Sequence, residues 1–153
     1  SYTKRGRSGI YGIGGVQWKD TGVTVTITPS SSDHKIYINC HMTISASNGN
    51  PMVQLYRGSS AVSDAKGSGS AYSSTVIDQY TAALQSTNFQ NDRRQHLSFN
   101  FLDSPNTTSS TEYKVYLASD SSSFAYGGVN GHPTTSSSQG YGTCTITAME
   151  VDT

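Results

Sequence analysis

The stretch KIYINCHMTIS, residues 35–45, decides the fold class of this chain. Apolar side chains recur at every second position from Ile36 to Ile44, and polar or aromatic side chains stand between them. Because successive side chains of a β-strand point to opposite faces, this pattern predicts a long strand with one buried face. A helix would need apolar residues three or four positions apart.

The same alternation recurs on both sides of this stretch and predicts further strands. Turn-forming residues separate the alternating runs, as at Pro29 and in the predicted loop SPNTTSST, residues 104–111. Residues 124–129 are expected to form an edge strand, and residues 59–92 to form mainly strand edges and long loops. The other alternating apolar positions are Val23, Val25 and Ile27; Val53 and Leu55; Leu97, Phe99 and Phe101; Tyr113, Val115 and Leu117; and a last strand over residues 143–151.

Composition agrees with an all-β domain. The chain has 153 residues, which suits one domain. It contains 26 Ser and 18 Thr, while charged residues make up only 13%. Helices need Ala, Leu, Glu, Lys and Arg on their surfaces, whereas Thr, Val, Ile and Tyr fit a pleated sheet and Ser and Gly fit turns. We therefore expect residues 23–153 to form an antiparallel β-sandwich of the jelly-roll kind.

Charge and hydropathy exclude several classes of partner. Ten basic residues balance ten acidic ones, so no whole-chain field attracts nucleic acid or anionic lipid. No apolar run approaches the roughly 18 residues of a membrane span. A protein with zero net charge tends to associate. These features favour self-association and argue against nucleic acid and membrane as partners.

Residues 1–22 differ from the rest of the chain and are expected to form an N-terminal arm or linker. They hold four basic residues with no acid before Asp20, and five glycines precede Val16. Such an arm suits contact with a neighbouring subunit, with a disordered tail as the alternative. Its candidate assembly residues are Ile10, Tyr11, Ile13, Val16 and Trp18.

The two cysteines, Cys40 and Cys144, both stand in phase with the apolar face of a predicted strand. We expect both to face the core, where free Cys behaves as a small apolar residue. A disulfide between the two strands is the alternative. A metal pair is not expected, because neither cysteine has a second Cys or His at a ligand spacing.

Motifs for catalysis are missing from the sequence. The four histidines occur singly, and Ser30, Asp33 and His34 lie close together only in sequence, whereas catalytic triads are defined by geometry in space. Enzyme activity, a metal and a cofactor are therefore not expected. Tyrosine suits protein interfaces and sugar stacking, so the loop residues Tyr126, His132 and Tyr141 are the candidates for ligand contact.

Four segments in order resemble a known family: TVTITPSSSDHKIYI, VQLYRGSSAV, LSFNFLDSPNTTSSTEYKVYL and TCTITAMEV. Their order is similar to the β-sandwich module of tail-fibre-like virion structural proteins from cyanophages and other marine tailed phages. The resemblance spans about residues 23–151. FLDSPNTTS, a YKV strand and the closing ITAMEV strand are its more specific parts.

The resemblance implies a non-enzymatic virion protein on the particle surface, commonly a homotrimer, that contacts other virion proteins and a glycan on the host surface. No catalytic residues follow from it. This chain presents the module with only about 22 residues before it and no long shaft. Three alternatives therefore stay open: a capsid decoration protein, a self-polymerising extracellular fibre subunit, and a lectin-like binding module.

Overall fold

The computed structural model describes residues 2–5, 8–11, 15, 17–46, 51–65, 95–119, 126–130 and 142–152. Within these ranges there are ten β-strands, one turn of 3₁₀ helix at Ser63–Ala65 and no α-helix. The strands are β1 Tyr2–Arg5, β2 Ser8–Tyr11, β3 Lys19–Ile27, β4 Lys35–Ala46, β5 Pro51–Arg57, β6 Ser60–Ala61, β7 Gln95–Asp103, β8 Thr111–Ser119, β9 Tyr126–Val129 and β10 Thr143–Val151.

The first sheet is organised around β4. Strand β7 pairs antiparallel with one edge of β4 from Ile36 to Ile44. On the opposite edge β10 pairs as far as His41, and β9 continues from Ile44 to Ala46. Strands β1 and β2 then pair with β10 and β9, respectively. The 12 residues of β4 are thus the central strand of this sheet.

The second sheet has the order β3–β8–β5–β6, and all of its pairs are antiparallel. The inward faces of the two sheets share one buried apolar core, to which β4, β8 and β5 contribute fully buried side chains such as Ile38, Val115 and Leu55. The predicted all-β fold of two packed antiparallel sheets is therefore confirmed.

The strand alternation read from the sequence matches the structure closely. Every inward position of β4 from Ile36 to Ile44 is fully buried, and β10 spans the predicted residues 143–151. The outward residues Thr43 and Gln54 are nevertheless buried. For Thr43 the cause is close packing, because a Cβ added to Gly142 would lie 2.7 Å from Thr43 Oγ1.

Two segments of the predicted N-terminal arm are strands of the first sheet. Residues 2–5 pair with β10 and residues 8–11 pair with β9, so these segments are not an unpaired arm. Backbone hydrogen bonding to an open sheet edge needs no apolar side chain, which is why a glycine-rich sequence can pair there.

The candidate assembly residues of the arm are placed unevenly. Ile10 is half-buried and packs against the core, and Trp18 is half-buried just before β3. Tyr11 lies in β2. Ile13 and Val16 lie outside the described residues.

The strand expected at residues 124–129 was predicted at a sheet edge, and this placement is wrong. Strand β9 pairs with β4 on one side and with β2 on the other, and Val129 is fully buried. The sequence of residues 124–129 does not indicate that β2 pairs with the outer edge of β9. Of the region 59–92, expected to form mainly strand edges and long loops, residues 66–92 lie outside the described residues.

The central position of β4 predicts a large cost for shortening its core side chains. Ile38→Ala is expected to lower the free energy of unfolding by about 2–5 kcal/mol, because it removes buried methyl groups and leaves a cavity. Asn39→Ala, on the exposed face of the same strand, is expected to change it by less than about 0.5 kcal/mol. Urea unfolding followed by circular dichroism measures both. Equal effects would show that β4 does not face the core as described.

Candidate functional site

A cleft of about 340 Å³ lies where the end of β7 meets the β5–β6 hairpin. Its volume is at the lower end of the range typical of small-molecule sites. The residues that line it are Arg57, Ala61, Val62, Ser63, Asp64, Phe101, Leu102, Asp103 and Ser104.

The backbone conformation of the β5–β6 hairpin positions one wall of the cleft. Gly58, the first central residue of the two-residue turn between β5 and β6, has a positive φ of 60°, which glycine adopts without steric cost. Val62 N–H then donates to Leu55 O over 2.9 Å, and Val62 is buried. These contacts hold Ser63 and Asp64 beside the cleft.

The floor of the cleft contains a buried carboxylate with two donors. The Asp103 side chain is only 7% exposed. Its Oδ2 accepts a hydrogen bond from Arg57 Nη1 over 2.8 Å and another from the Tyr113 hydroxyl over 2.6 Å. Burying a charge is costly unless it is paired and hydrogen-bonded, and both conditions are met here. Because β7 belongs to one sheet and β5 and β8 to the other, Asp103 joins the two sheets.

Burial and the neighbouring Asp103 carboxylate both raise the pKa of Tyr113, so its hydroxyl stays protonated and donates throughout the physiological range.

Arg57 also donates from Nη1 to Ser104 O over 3.3 Å, and its side chain is 39% exposed. A guanidinium has five N–H donors, and only Nη1 has a partner among the described residues. The cleft therefore presents an exposed cation beside a buried carboxylate.

The sequence contains a signal for this site. Asp103 continues the inward phase of Leu97, Phe99 and Phe101, and Arg57 continues that of Val53 and Leu55. A charged residue is rarely buried unless it is paired. Two opposite charges on the inward phase of two strands thus indicate an internal ion pair.

Tyr113→Phe tests whether the buried hydrogen bond stabilises the fold. The variant is expected to lower the free energy of unfolding by about 1.5–3 kcal/mol, the range for hydrogen bonds to charged groups. Tyr116→Phe is the matched control, because the hydroxyl of this outward-facing tyrosine on the same strand has no hydrogen-bond partner within the described residues. Chemical denaturation measures both, and indistinguishable stabilities would contradict the geometry.

A second polar cluster lies at the other end of the first sheet, around Thr43. Thr43 Oγ1 lies 3.0 Å from His96 Nδ1, and the His96 ring stacks on that of His41 with centroids 6.0 Å apart. The backbone N–H of Asn130 donates to Thr43 O, and that of Gly142 donates to Asn130 O. These two backbone bonds link Asn130 and Gly142 to the strand that carries Thr43 and His41.

The three predicted ligand-contact residues are placed unevenly. Tyr126 begins β9, whereas His132 and Tyr141 lie outside the described residues. Their role in ligand contact stays a prediction. The outward-facing tyrosines Tyr56 and Tyr116 stack on each other, with ring centroids 3.9 Å apart.

Both cysteines face the core and are free thiols. Cys40 pairs with Ile146, so Cys144 is its diagonal neighbour on β10 rather than its direct partner. Diagonal neighbours in a sheet lie beyond the usual Cα separation of a disulfide, which accounts for the free thiols in place of the disulfide alternative. Burial is the main cause that raises the pKa of Cys40, and the nearby Cys144 adds to it. The Cys144 thiol donates to Asn130 Oδ1 over 2.6 Å.

Ser30 and His34 meet Glu150 rather than forming a catalytic triad with Asp33. Glu150 Oε1 accepts from Ser30 N and Oγ and lies 2.7 Å from His34 Nδ1. In a hydrolytic triad the serine hydroxyl donates to one nitrogen of the histidine, and the other nitrogen donates to the carboxylate. Here the serine donates to the carboxylate itself. The cluster anchors the β3–β4 turn to β10.

This anchor predicts a pH-dependent stability. Hydrogen bonds from Ser30 and His34 lower the pKa of Glu150 from 4.5 to about 2. Since the folded state then binds fewer protons than the unfolded state, the contribution of Glu150 is complete above pH 4.5 and is lost as the pH falls towards 2. In Glu150→Gln the melting temperature is expected to fall at pH 7 and to depend less on pH in that window.

Thermal unfolding across pH 2–7 measures this effect. Asp64→Asn, on the exposed turn after β6, serves as the control and is expected to retain the wild-type slope. A Glu150→Gln variant with the wild-type pH profile would contradict the anchor.

Comparison with models of known protein families finds no match, and no curated protein matches the sequence. Among the described residues, no group of three or more His, Cys, Asp or Glu side chains is placed to hold a metal ion. Within the same ranges, no helix is long and apolar enough to cross a membrane. A functional assignment therefore depends on the surface geometry of the sandwich.

Proposed function

We propose that this chain is a non-enzymatic virion structural protein, a tail-fibre-like appendage module of a tailed phage. It assembles as a homotrimer on the particle surface, where it contacts other virion proteins and a host surface glycan, and its two sheets follow a jelly-roll topology. The segments that carry the family resemblance support this. Residues 24–38, 53–62, 97–117 and 143–151 overlap strands β3 to β8 and β10, so the resemblance extends over both sheets.

The main support for assembly is a row of exposed apolar side chains on the outer face of the first sheet. Leu102 on β7 and Met149 on β10 both pair with Tyr37 of β4, so the three side chains form one row across the sheet. Leu102 is 45% exposed and Met149 is 48% exposed, and they are the two exposed large apolar side chains among the described residues.

The surroundings of this row favour another copy of the chain as its partner. The next row on the same face is polar, with Asn39 between Asn100 and Thr147. Contiguous apolar surface with a polar border is typical of protein interaction sites. With no net charge, copies of the chain do not repel one another, and most soluble homo-oligomers close around a symmetry axis.

Substitution of Met149 tests the proposed interface. Met149→Lys is expected to convert a discrete oligomer into monomer, because it places an unpaired charge against the partner's apolar surface. Thr147→Lys, with its side chain on the same face two residues earlier, is expected to leave assembly intact. Sedimentation equilibrium measures the mass of both, and circular dichroism verifies the fold. A monomeric wild-type protein, or assembly unaffected by Met149→Lys, would contradict this interface.

Antibody labelling of purified particles that contain the chain locates it. Labels on a tail appendage support the proposed module, whereas labels spread evenly over the head would favour the capsid decoration alternative.

Strand exchange between copies is a second candidate function, supported by the pairing of β1 and β2. These short strands extend the first sheet beyond β10 and β9, and Gly6 and Arg7 are the residues between them. An extended segment of one chain can take the same place in the sheet of another chain. Such exchange predicts a polydisperse species that grows with concentration. A single discrete mass would contradict it.

A further inference from the structure

We propose that the cleft between β7 and the β5–β6 hairpin binds an uncharged sugar ring through two adjacent hydroxyl groups, with Asp103 and Arg57 as the recognising pair. The inference rests on the proposed function only for the source of the sugar, a host surface glycan. The chemistry of recognition depends on the cleft alone.

The buried carboxylate supplies the acceptor. Asp103 is more than nine-tenths buried and lines the cleft. Both of its hydrogen bonds end on Oδ2, and Oδ1 has no partner among the described residues. A carboxylate oxygen that is buried and unpaired carries a free-energy cost, which a hydroxyl donor would remove.

The guanidinium supplies donors beside that acceptor. Arg57 is fixed by its bonds from Nη1 to Asp103 Oδ2 and Ser104 O, which leaves Nε and Nη2 without partners among the described residues. A hydroxyl group both donates and accepts. One sugar hydroxyl therefore donates to Asp103 while its neighbour on the ring accepts from Arg57.

The cleft has apolar walls that can pack against the carbon–hydrogen face of a sugar ring, and its volume fits such a ring. Leu102 is 45% exposed at the cleft, and the half-buried Phe101 lies next to it. The carbon–hydrogen face of the ring packs against such surfaces, while Ser63 and Ser104 add polar groups at the rim. A volume of about 340 Å³ is suited to one or two rings rather than a long chain.

Charge selects a neutral ligand. Arg57 and Asp103 neutralise each other, and the exposed Asp64 adds a negative charge to the lining. An anionic ligand would face two carboxylates, and a cation would face the guanidinium. A neutral polyol meets neither repulsion.

The experiment is NMR titration of ¹⁵N-labelled full-length protein with D-glucose, D-galactose, D-mannose and L-fucose, each alone. At least one sugar is expected to shift the signals of Arg57 and Ser104 in a saturable manner. Ser63→Trp leaves the Asp103 hydrogen bonds in place and is expected to weaken binding by about ten-fold or more, because the indole occupies the space of the sugar ring. Ser59→Trp, on the exposed hairpin turn outside the cleft, is the control and should bind as the wild type does.

Three outcomes would overturn the inference: no saturable shift with any of the four sugars, binding that Ser63→Trp leaves unchanged, or tighter binding of N-acetylneuraminic acid than of every neutral sugar. Its failure is separable from that of the proposed function. A protein that assembles on particles and binds no sugar contradicts the cleft alone, whereas a sugar-binding monomer contradicts the assembly module alone.

Discussion

Strand β4 has hydrogen-bonded neighbours on both edges from Ile36 to His41, and the rest of the first sheet depends on this constraint. Its inward side chains, buried without exception over these residues, fix which face of β7 and β10 meets the core. A shift of one residue in either pairing would turn those apolar side chains to solvent, so the register is strongly specified. The same register aligns Leu102, Tyr37 and Met149 on the outer face.

Two surfaces of different chemistry follow from one pattern of alternation. Outward positions carry the apolar row proposed for assembly, and the inward phase of β7 and β5 ends in Asp103 and Arg57 at the open end of the sandwich. At this end the apolar core is bordered by the Asp103–Arg57 ion pair, in which only Oδ2 of the carboxylate accepts hydrogen bonds among the described residues. The row proposed for assembly and the cleft proposed for ligand contact thus meet at β7, and Leu102 belongs to both.

Strand positions were predictable because alternation is a local property of the sequence, and β4, β8 and β10 follow it over most of their length. Pairing across distant parts of the chain was not predictable in this way. Residues 2–11 contain too little apolar surface to reveal strands, and only the open edges of β10 and β9 make them pair. The contacts of Asp103 with Arg57 and Tyr113 likewise depend on which strands become neighbours, although the inward phase of these charges pointed to a buried pair.

Residue-resolved amide hydrogen exchange tests the central position of β4 most directly. A strand paired on both edges has every amide hydrogen-bonded, whereas a strand paired on one edge has every second amide open to water. The structure predicts continuous protection over residues 36–41 with exchange through global unfolding, and alternating protection along β3, which pairs only with β8 among the described strands. Alternating or fast exchange over residues 36–41 would contradict the sheet order and, with it, the apolar row that depends on that order.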